Sequence, residues 1–524
     1  MPTAPQLAAA DALPHALVRS LLAHAVAGGA PAVEILAPAT GRKIVDLPQS
    51  STADLDRAFE TARRAQREWA KTPVRERVSI LRRFHDLVLS EQDAILDIVQ
   101  LESGKSRVHA FDEVGDVAVN ARYYAGVAEK LLATRTPRGV LPMLTRVEVR
   151  NRPKGVVAVI SPWNYPLALA ASDALPALVA GNAVIARPDN QTALTALCAI
   201  DAAERAGLPR GLWQAVLGRG SVIGGEVIAR ADYVDYTGSS ATGRTIARQA
   251  GERLIGCSLE LGGKNPLLVL ADADVSAAAR IAVRACFASA GQLCESIERI
   301  YVHDAVYERF VGEFVDRTRA LRLGAALDYS YEIGSLTFPR QIDTVAAHVD
   351  DAVAKGATVL TGGRARPDLG PYFYEPTILE GVGPGMTVYR EETFGPVVSV
   401  YRVHSDEEAI DRANDSAYGL NASVWSRDTA RAREVAARIE AGSVNVNEGF
   451  IAAWGSVAAP SGGLGISGGG GRPGPGGRGH QNRPGHHRLP GASAPVVCGP
   501  RHPPPLRPAG RTGQRRPPPP QHLF

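Results

Sequence analysis

Gly155-Val-Val-Ala-Val-Ile160 decides the fold. Apolar residues in a row, mostly β-branched and without polar alternation, describe a strand buried on both faces. The rhythm repeats downstream. Residues 167–179 carry helical spacing, and Ala183-Val-Ile-Ala186 is another apolar strand. Residues 192–206 read as a helix stopped by Gly207 and Pro209, and 213–216 and 232–236 read as strands. Apolar strands alternating with helices predict an α/β fold, a parallel sheet covered on both faces. A second α/β unit is expected over 261–445, with strands at 266–270, 299–302 and 358–360 and helices at 274–288, 304–320 and 340–355. Upstream, 53–69, 78–88 and 117–132 show helical periodicity. Between these regions Thr145-Arg-Val-Glu-Val-Arg-Asn151 alternates strictly, so 136–153 is expected to project as a hairpin.

At 524 residues the chain can build two or three domains. Its 45% hydrophobic and 21% charged content fits a globular protein. No apolar run approaches the length of a membrane span, and the Ala-rich start lacks the pattern of a signal peptide. Five cysteines, odd in number and without metal-ligand spacing, suit a reducing cytoplasm and point to no metal. The net charge of +4 comes from the end of the chain. From Gly469 onward there are nine Arg, no Lys and no acidic residue, and the rest carries 49 basic against 54 acidic groups. That mildly acidic body suggests no nucleic-acid partner.

Two motifs carry chemistry. Phe287-Ala-Ser-Ala-Gly-Gln-Leu-Cys294 offers a thiol, and Leu259-Glu-Leu-Gly-Gly-Lys-Asn-Pro266 places a carboxylate, Glu260, 34 residues earlier. A thiolate attacks carbonyl carbon, and a carboxylate activates water to hydrolyse the resulting thioester. Alone, Cys294 reads first as a buried apolar cysteine, and the partner motifs reverse that reading. Thr237-Gly-Ser-Ser-Ala-Thr-Gly243 follows a strand and opens a helix, either an anion site for a pyrophosphate or a tight strand–helix turn. Asn164, in Ser161-Pro-Trp-Asn-Tyr-Pro166, stands at a strand's carboxyl end, where its amide can donate to an oxyanion or cap its own loop. In Glu391-Glu-Thr-Phe-Gly-Pro396 a carboxylate either holds a ribose diol or is simply solvated.

Five motifs in this order resemble those of the aldehyde dehydrogenase superfamily: Pro162-Trp-Asn-Tyr-Pro166, Thr237-Gly-Ser with Gly243, Leu259-Glu-Leu-Gly-Gly263, Gly291-Gln-Leu-Cys294 and Glu391-Glu-Thr-Phe-Gly-Pro396, across residues 35–468. Within it, the chain is similar to bacterial succinate-semialdehyde dehydrogenases. The resemblance implies a Rossmann-type dinucleotide-binding domain from 1–135 and 154–260, an oligomerisation hairpin at 136–153 and a catalytic domain at 261–468. It implies Cys294 as nucleophile, Asn164 as oxyanion donor and Glu260 as the base for water; members that pass the acyl group to coenzyme A usually lack that Glu. Trp163, Gly238, Ser239, Gly243, Leu261, Glu392 and Phe394 are implied at the NAD(P) site. The family's usual Lys-Pro-x-Glu is here Arg187-Pro-Asp-Asn190, which removes a carboxylate that would repel a 2′-phosphate and adds a guanidinium fork. The expectation therefore leans to NADP over NAD.

The resemblance implies a small aldehyde as partner, succinate semialdehyde among them. Yet the two Arg positions common in enzymes selective for that substrate correspond here to Ala288 and Ser172. Either Ser456 or Arg299 replaces them, or the substrate is a less polar aldehyde entering past Trp163, Tyr165, Phe450 and Trp454. A binding or structural protein with little turnover is the other alternative. After Gly468 the resemblance stops. Residues 469–524 are Pro-, Gly-, Arg- and His-rich, the composition of a disordered segment and of a GC-rich gene read out of frame. Relatives continue with a strand that pairs with a partner's hairpin, so oligomer assembly is expected to weaken here.

Overall fold

The computed structural model describes residues 13–141, 145–459, 462–469 and 496–498. Helices α1 (His15–Leu22), α2 (Thr52–Trp69), α3 (Val74–Ser90), α4 (Gln92–Ser103) and α5 (Arg107–Leu132) form the amino-terminal layer, with an antiparallel pair β1 (Ala30–Leu36) and β2 (Lys43–Gln49). The start of α2 is fixed locally. Ser51 accepts from the Asp54 N–H, and the Asp54 carboxylate takes the Ser51 N–H in return, a reciprocal cap.

The first sheet takes β3 (Val156–Ser161), β4 (Ala183–Pro188), β5 (Trp213–Ala215), β6 (Tyr233–Thr237) and β7 (Gly256–Glu260), all parallel, in the order β7-β6-β3-β4-β5. Every residue of β3 and β4 is buried, as their unbroken apolar text predicts. The helices α6 (Pro166–Val179), α7 (Ala193–Arg205), α8 (Gly220–Arg230) and α9 (Ser240–Glu252) connect the strands. Leu55, Phe84, Leu96, Val159, Ile185 and Trp213 belong to the core shared with the amino-terminal helices.

The second sheet holds β8 (Asn265–Val269), β9 (Ile297–His303), β10 (Thr358–Thr361), β11 (Thr377–Glu380), β12 (Val397–Val403), β14 (Asn421–Trp425) and β15 (Ser443–Val446). It is parallel except for the β10–β11 pair. Helix α10 (Val275–Phe287) covers it, and Leu267, Phe287, Ile300, Phe314 and Val424 sit in a separate core. Short strands β13 (Tyr418–Gly419) and β16 (Leu464–Gly465) pair antiparallel, and β17 (Gly468–Gly469) runs antiparallel beside β7.

Two expectations meet the structure differently. Among the described residues the 136–153 segment is antiparallel, with isolated bridges at Arg135–Val149 and Arg138–Arg146 and Thr145 bonded to Leu141 near the tip, because two ribbons without a third strand have little to pack on. Of the tail expected to be disordered, Val496–Cys498 instead forms β18, parallel to β15. Val-Val-Cys is the one β-forming triplet there. Residues 470–495 and 499–524 lie outside the described residues.

Candidate active site

The chain crosses from the first sheet to the second between Glu260, the last residue of β7, and Asn265, the first of β8. Two further segments converge on that crossing: the loop from β3 to α6, and the loop after α10 that carries Cys294. Ligands in open α/β sheets gather at such carboxyl ends.

Asn164 is buried and held from both sides. Its carbonyl accepts from Lys105 Nζ at 2.7 Å, and its Nδ2 donates to the Gln292 carbonyl at 3.0 Å. Lys105 is itself buried against Glu113, and the same ammonium lies 3.8 Å from the centre of the Tyr165 ring. The other Glu113 oxygen accepts the N–H groups of Leu167 and Ala168 at 2.7 and 3.2 Å. One buried ion pair thus fixes both the Asn164 loop and the first turn of α6.

The cysteine loop is strained. Ser289, Ala290 and Gly291 have φ of 50°, 55° and 71°, sparsely populated values that each cost about 1–3 kcal/mol for non-glycine residues. At Gly291 a Cβ would stand 2.1 Å from the Gly395 carbonyl oxygen, so no side chain fits. Asn265 Nδ2 donates to the Cys294 carbonyl at 2.8 Å and to the Ser296 carbonyl at 2.7 Å. Burial pushes the half-buried Cys294 thiol well above its ordinary pKa, and the carboxylates of Glu295, Glu392 and Glu260 push the same way.

Cys294, Asn164 and Glu260 line one cavity of about 380 Å³. Tyr165, Leu169, Leu293, Trp454 and Ser456 line it too. Phe450 is buried in the apolar cluster behind Tyr165 and Leu293, and Trp163 turns away, edge-on to Phe338 and Phe394. Arg299 does not replace the missing carboxylate receptors. It is buried and donates to the carbonyls of Lys264, Arg412 and Ala413 and to the Tyr301 hydroxyl.

Several of the residues expected at the cofactor gather at the carboxyl ends of β6 and β7 and the start of α9, with Glu392 joined to them through Gly263. Ser239 caps α9, accepting from the Thr242 N–H, and leaves the amides of the first helical turn as an anion site. A Cβ on Gly238 would meet the Tyr236 hydroxyl at 2.2 Å, and one on Gly243 would meet Leu261 at 2.6 Å. Glu392 accepts the Gly263 N–H at 2.8 Å, and burial, with Glu298 nearby, pushes its carboxyl up to about 8. Phe394 holds φ at 50° because its N–H and that of Thr393 both donate to Glu298, which is paired with Lys264 in the interior. Two residues expected there hold protein partners. Arg187 donates from Nε and Nη2 to the Gly218 carbonyl, in the loop after β5. Asn190 donates to Gln49 Oε1 at 2.8 Å, leaving its buried Oδ1 without a partner. The glycine cradle, the helix terminus and the Glu392 carboxylate still fit a dinucleotide.

The pairs Lys105–Glu113 and Lys264–Glu298 were not foreseeable from periodicity, since each joins positions on different elements. Among the described residues no group of three or more His, Cys, Asp or Glu could hold a metal, and no helix is long and apolar enough to cross a membrane.

Two parallel sheets with a thiol, an amide and a carboxylate on one cavity at their junction define a two-unit α/β enzyme. The chain belongs to the aldehyde dehydrogenase family, whose model matches residues 26–480. A Mycolicibacterium smegmatis protein, provisionally named an NADP+-dependent succinate-semialdehyde dehydrogenase, is 52% identical over 425 residues, 81% of this chain and 82% of the relative. Among solved structures, an E. coli NADP-dependent enzyme superposes with a TM-score of 0.81 at 34% identity, covering 85% of this chain and 92% of that one. Staphylococcus aureus betaine aldehyde dehydrogenase in complex with NAD+ gives 0.80 at 32%, covering 85% and 89%.

Proposed function

We propose that this chain oxidises an aldehyde to a carboxylic acid through a thioester on Cys294 that water hydrolyses. The observation that supports it is the single cavity lined by Cys294, Asn164 and Glu260. The Cys294 thiol passes its proton to solvent in the cavity and Sγ attacks the carbonyl carbon, while the remaining Asn164 Nδ2 hydrogen and the Cys294 backbone N–H hold the oxyanion. Losing one such donor typically costs about 3 kcal/mol. A nicotinamide cofactor, when bound, supplies the hydride acceptor. The Ser239 end of α9 would face its pyrophosphate, Glu392 its ribose and Phe394 with Trp163 its nicotinamide side. Glu260 then takes a proton from water, which attacks the thioester carbon and displaces the Cys294 thiolate as the acid forms.

The relatives' names favour NADP, and Asn190 in place of a carboxylate agrees with that choice. With Arg187 committed to Gly218, use of NAD as well is expected. The relatives also bring forward succinate semialdehyde as substrate. Ala288 and Ser172 favour a second reading, a substrate whose far end is not a carboxylate. We further propose that the two cores correspond to a cofactor-binding and a catalytic domain.

The test is aldehyde-dependent formation of reduced nicotinamide by the purified chain, with NADP and NAD compared at low concentration. Cys294→Ser should abolish it. Glu260→Gln should leave a first-turnover burst and slow the steady state by about 10²–10⁴-fold. A steady state unchanged in Glu260→Gln would overturn the hydrolytic role.

A further inference from the structure

Asn164 Nδ2 faces the Gln292 carbonyl, and a carbonyl only accepts, so one hydrogen of the amide is committed there. The amide group is planar. Pinning one hydrogen therefore fixes the direction of the other, the one left for an oxyanion. Gln292 stands two residues before Cys294, so the main chain that aims the amide also carries the thiol.

Gln292 is in turn held at both ends of its side chain. Nε2 donates to the Ser289 carbonyl at 3.1 Å, within the strained turn, and Oε1 accepts the Thr337 N–H at 3.0 Å. Thr337 lies two residues before the helix Pro339–Ala354, and its hydroxyl donates at 2.8 Å to the carbonyl of Ser103, the last residue of α4. Two residues further on, Lys105 Nζ donates to the Asn164 backbone carbonyl at 2.7 Å. These contacts close a circuit, from Asn164 to Gln292, Thr337 and Ser103, and through Gly104 and Lys105 back to Asn164. The turn that closes it leaves no room for a side chain. Gly104 has φ at 79°, a Cβ on it would stand 2.1 Å from Ser335 Oγ, and its carbonyl accepts the Ser335 N–H at 2.9 Å.

The circuit crosses the junction of the two sheets. Ser103 and Lys105 belong to the amino-terminal layer, Asn164 follows β3, and Gln292 and Thr337 stand beside the second sheet. Ser103, Lys105, Asn164, Gln292 and Thr337 are all buried, and of these five only Asn164 lines the cavity. Hydrogen bonds so buried are strong when made and costly when broken. The other four thus hold the amide without reaching a substrate.

We propose that Thr337 and Lys105 are positioning residues for aldehyde oxidation, which through this circuit aim the free Asn164 amide hydrogen at the oxyanion formed on Cys294. This rests on the aldehyde-oxidising role proposed above. Displacing such a donor by about 1 Å can cost about 10²-fold in rate, although neither residue touches the reacting atoms.

The experiment measures kcat/KM of the full chain with NADP, for whichever of hexanal and succinate semialdehyde it oxidises faster. Thr337→Val exchanges the hydroxyl for a methyl of equal size. It should lower kcat/KM by about tenfold, the scale of one buried hydrogen bond, and leave the KM for NADP within about twofold. Thr337→Ser, which keeps the hydroxyl, should restore the rate. In an Asn164→Ala background, Thr337→Val should cost less than about twofold, because the amide that it aims is gone. Alkylation of Cys294 by iodoacetamide forms no oxyanion and should stay within about threefold of the unaltered chain. Lys105→Met, assayed below its own unfolding midpoint, should follow the same cycle, and either variant suffices if the other does not fold. An equal loss with and without Asn164, or no loss at all, would overturn the inference and leave the dehydrogenase reading standing. If the unaltered chain oxidises neither aldehyde, that reading falls and the inference with it.

Discussion

At the scale of single residues, Cys294 shows how burial and charge oppose reactivity before a reaction begins. Desolvation disfavours the thiolate, and three carboxylates within the same region add to the effect. The sign is clear: a raised thiol pKa leaves less nucleophile at any given pH below it. Cofactor-free protein should therefore be alkylated at Cys294 more slowly than free cysteine at pH 8. Its rate should go on rising beyond pH 9, where a free thiol levels off near its ordinary pKa of about 8.5. Measuring iodoacetamide incorporation at Cys294 by peptide mass against pH checks this; a plateau below pH 8 would show a thiol activated at rest.

At the scale of elements, the anchoring of the Asn164 loop is the part with the sharpest energetic consequence. Lys105 and Glu113 are both buried, and each also holds backbone of the β3–α6 connection. Removing one partner leaves a buried charge uncompensated, which typically costs 3–5 kcal/mol. Lys105→Met should thus lower the denaturation midpoint strongly, and Lys105→Met with Glu113→Gln should recover part of the loss. Equal midpoints for the single and double variants would deny the coupling. None of this was legible beforehand, because the partners are eight residues apart across a helix break. What was legible followed from period. The unbroken apolar runs at β3 and β4 named the parallel sheet, and the helical spacing of 53–69 and 340–355 placed helices at Thr52–Trp69 and Pro339–Ala354. Gly-rich α8 and the polar-apolar β7 carry no clean period, so their type came only from packing. The cavity triad was legible as types and order. The commitment of Arg187 to a carbonyl was not, since a side chain's partner depends on a loop 31 residues away.

At the scale of the whole molecule, charge and edge structure point the same way. The body carries slightly more acidic than basic groups, and the nine arginines after Gly469 make the whole chain positive. The hairpin between α5 and β3 offers Val140, Leu141 and Val147 to solvent, with Val140 89% exposed, and it is joined by two isolated bridges. Two thinly paired ribbons with exposed apolar side chains gain order when a further strand adds to their edge. The resemblance implies that in relatives this strand comes from a carboxyl-terminal segment, and the family model matches this chain to residue 480 and not beyond. We propose that assembly through this hairpin is weak, so light scattering after size exclusion at low micromolar concentration should show mainly monomer or a mass that falls on dilution. Replacing Val140 and Val147 by Thr should reduce concentration-dependent association further and leave the thermal midpoint nearly unchanged, because exposed positions outside the cores contribute within about 0.5 kcal/mol. A tetramer or dimer stable to dilution would mean that the hairpin finds its missing strand elsewhere, and the same measurement on chain truncated after residue 469 would say whether the arginine-rich segment supplies it.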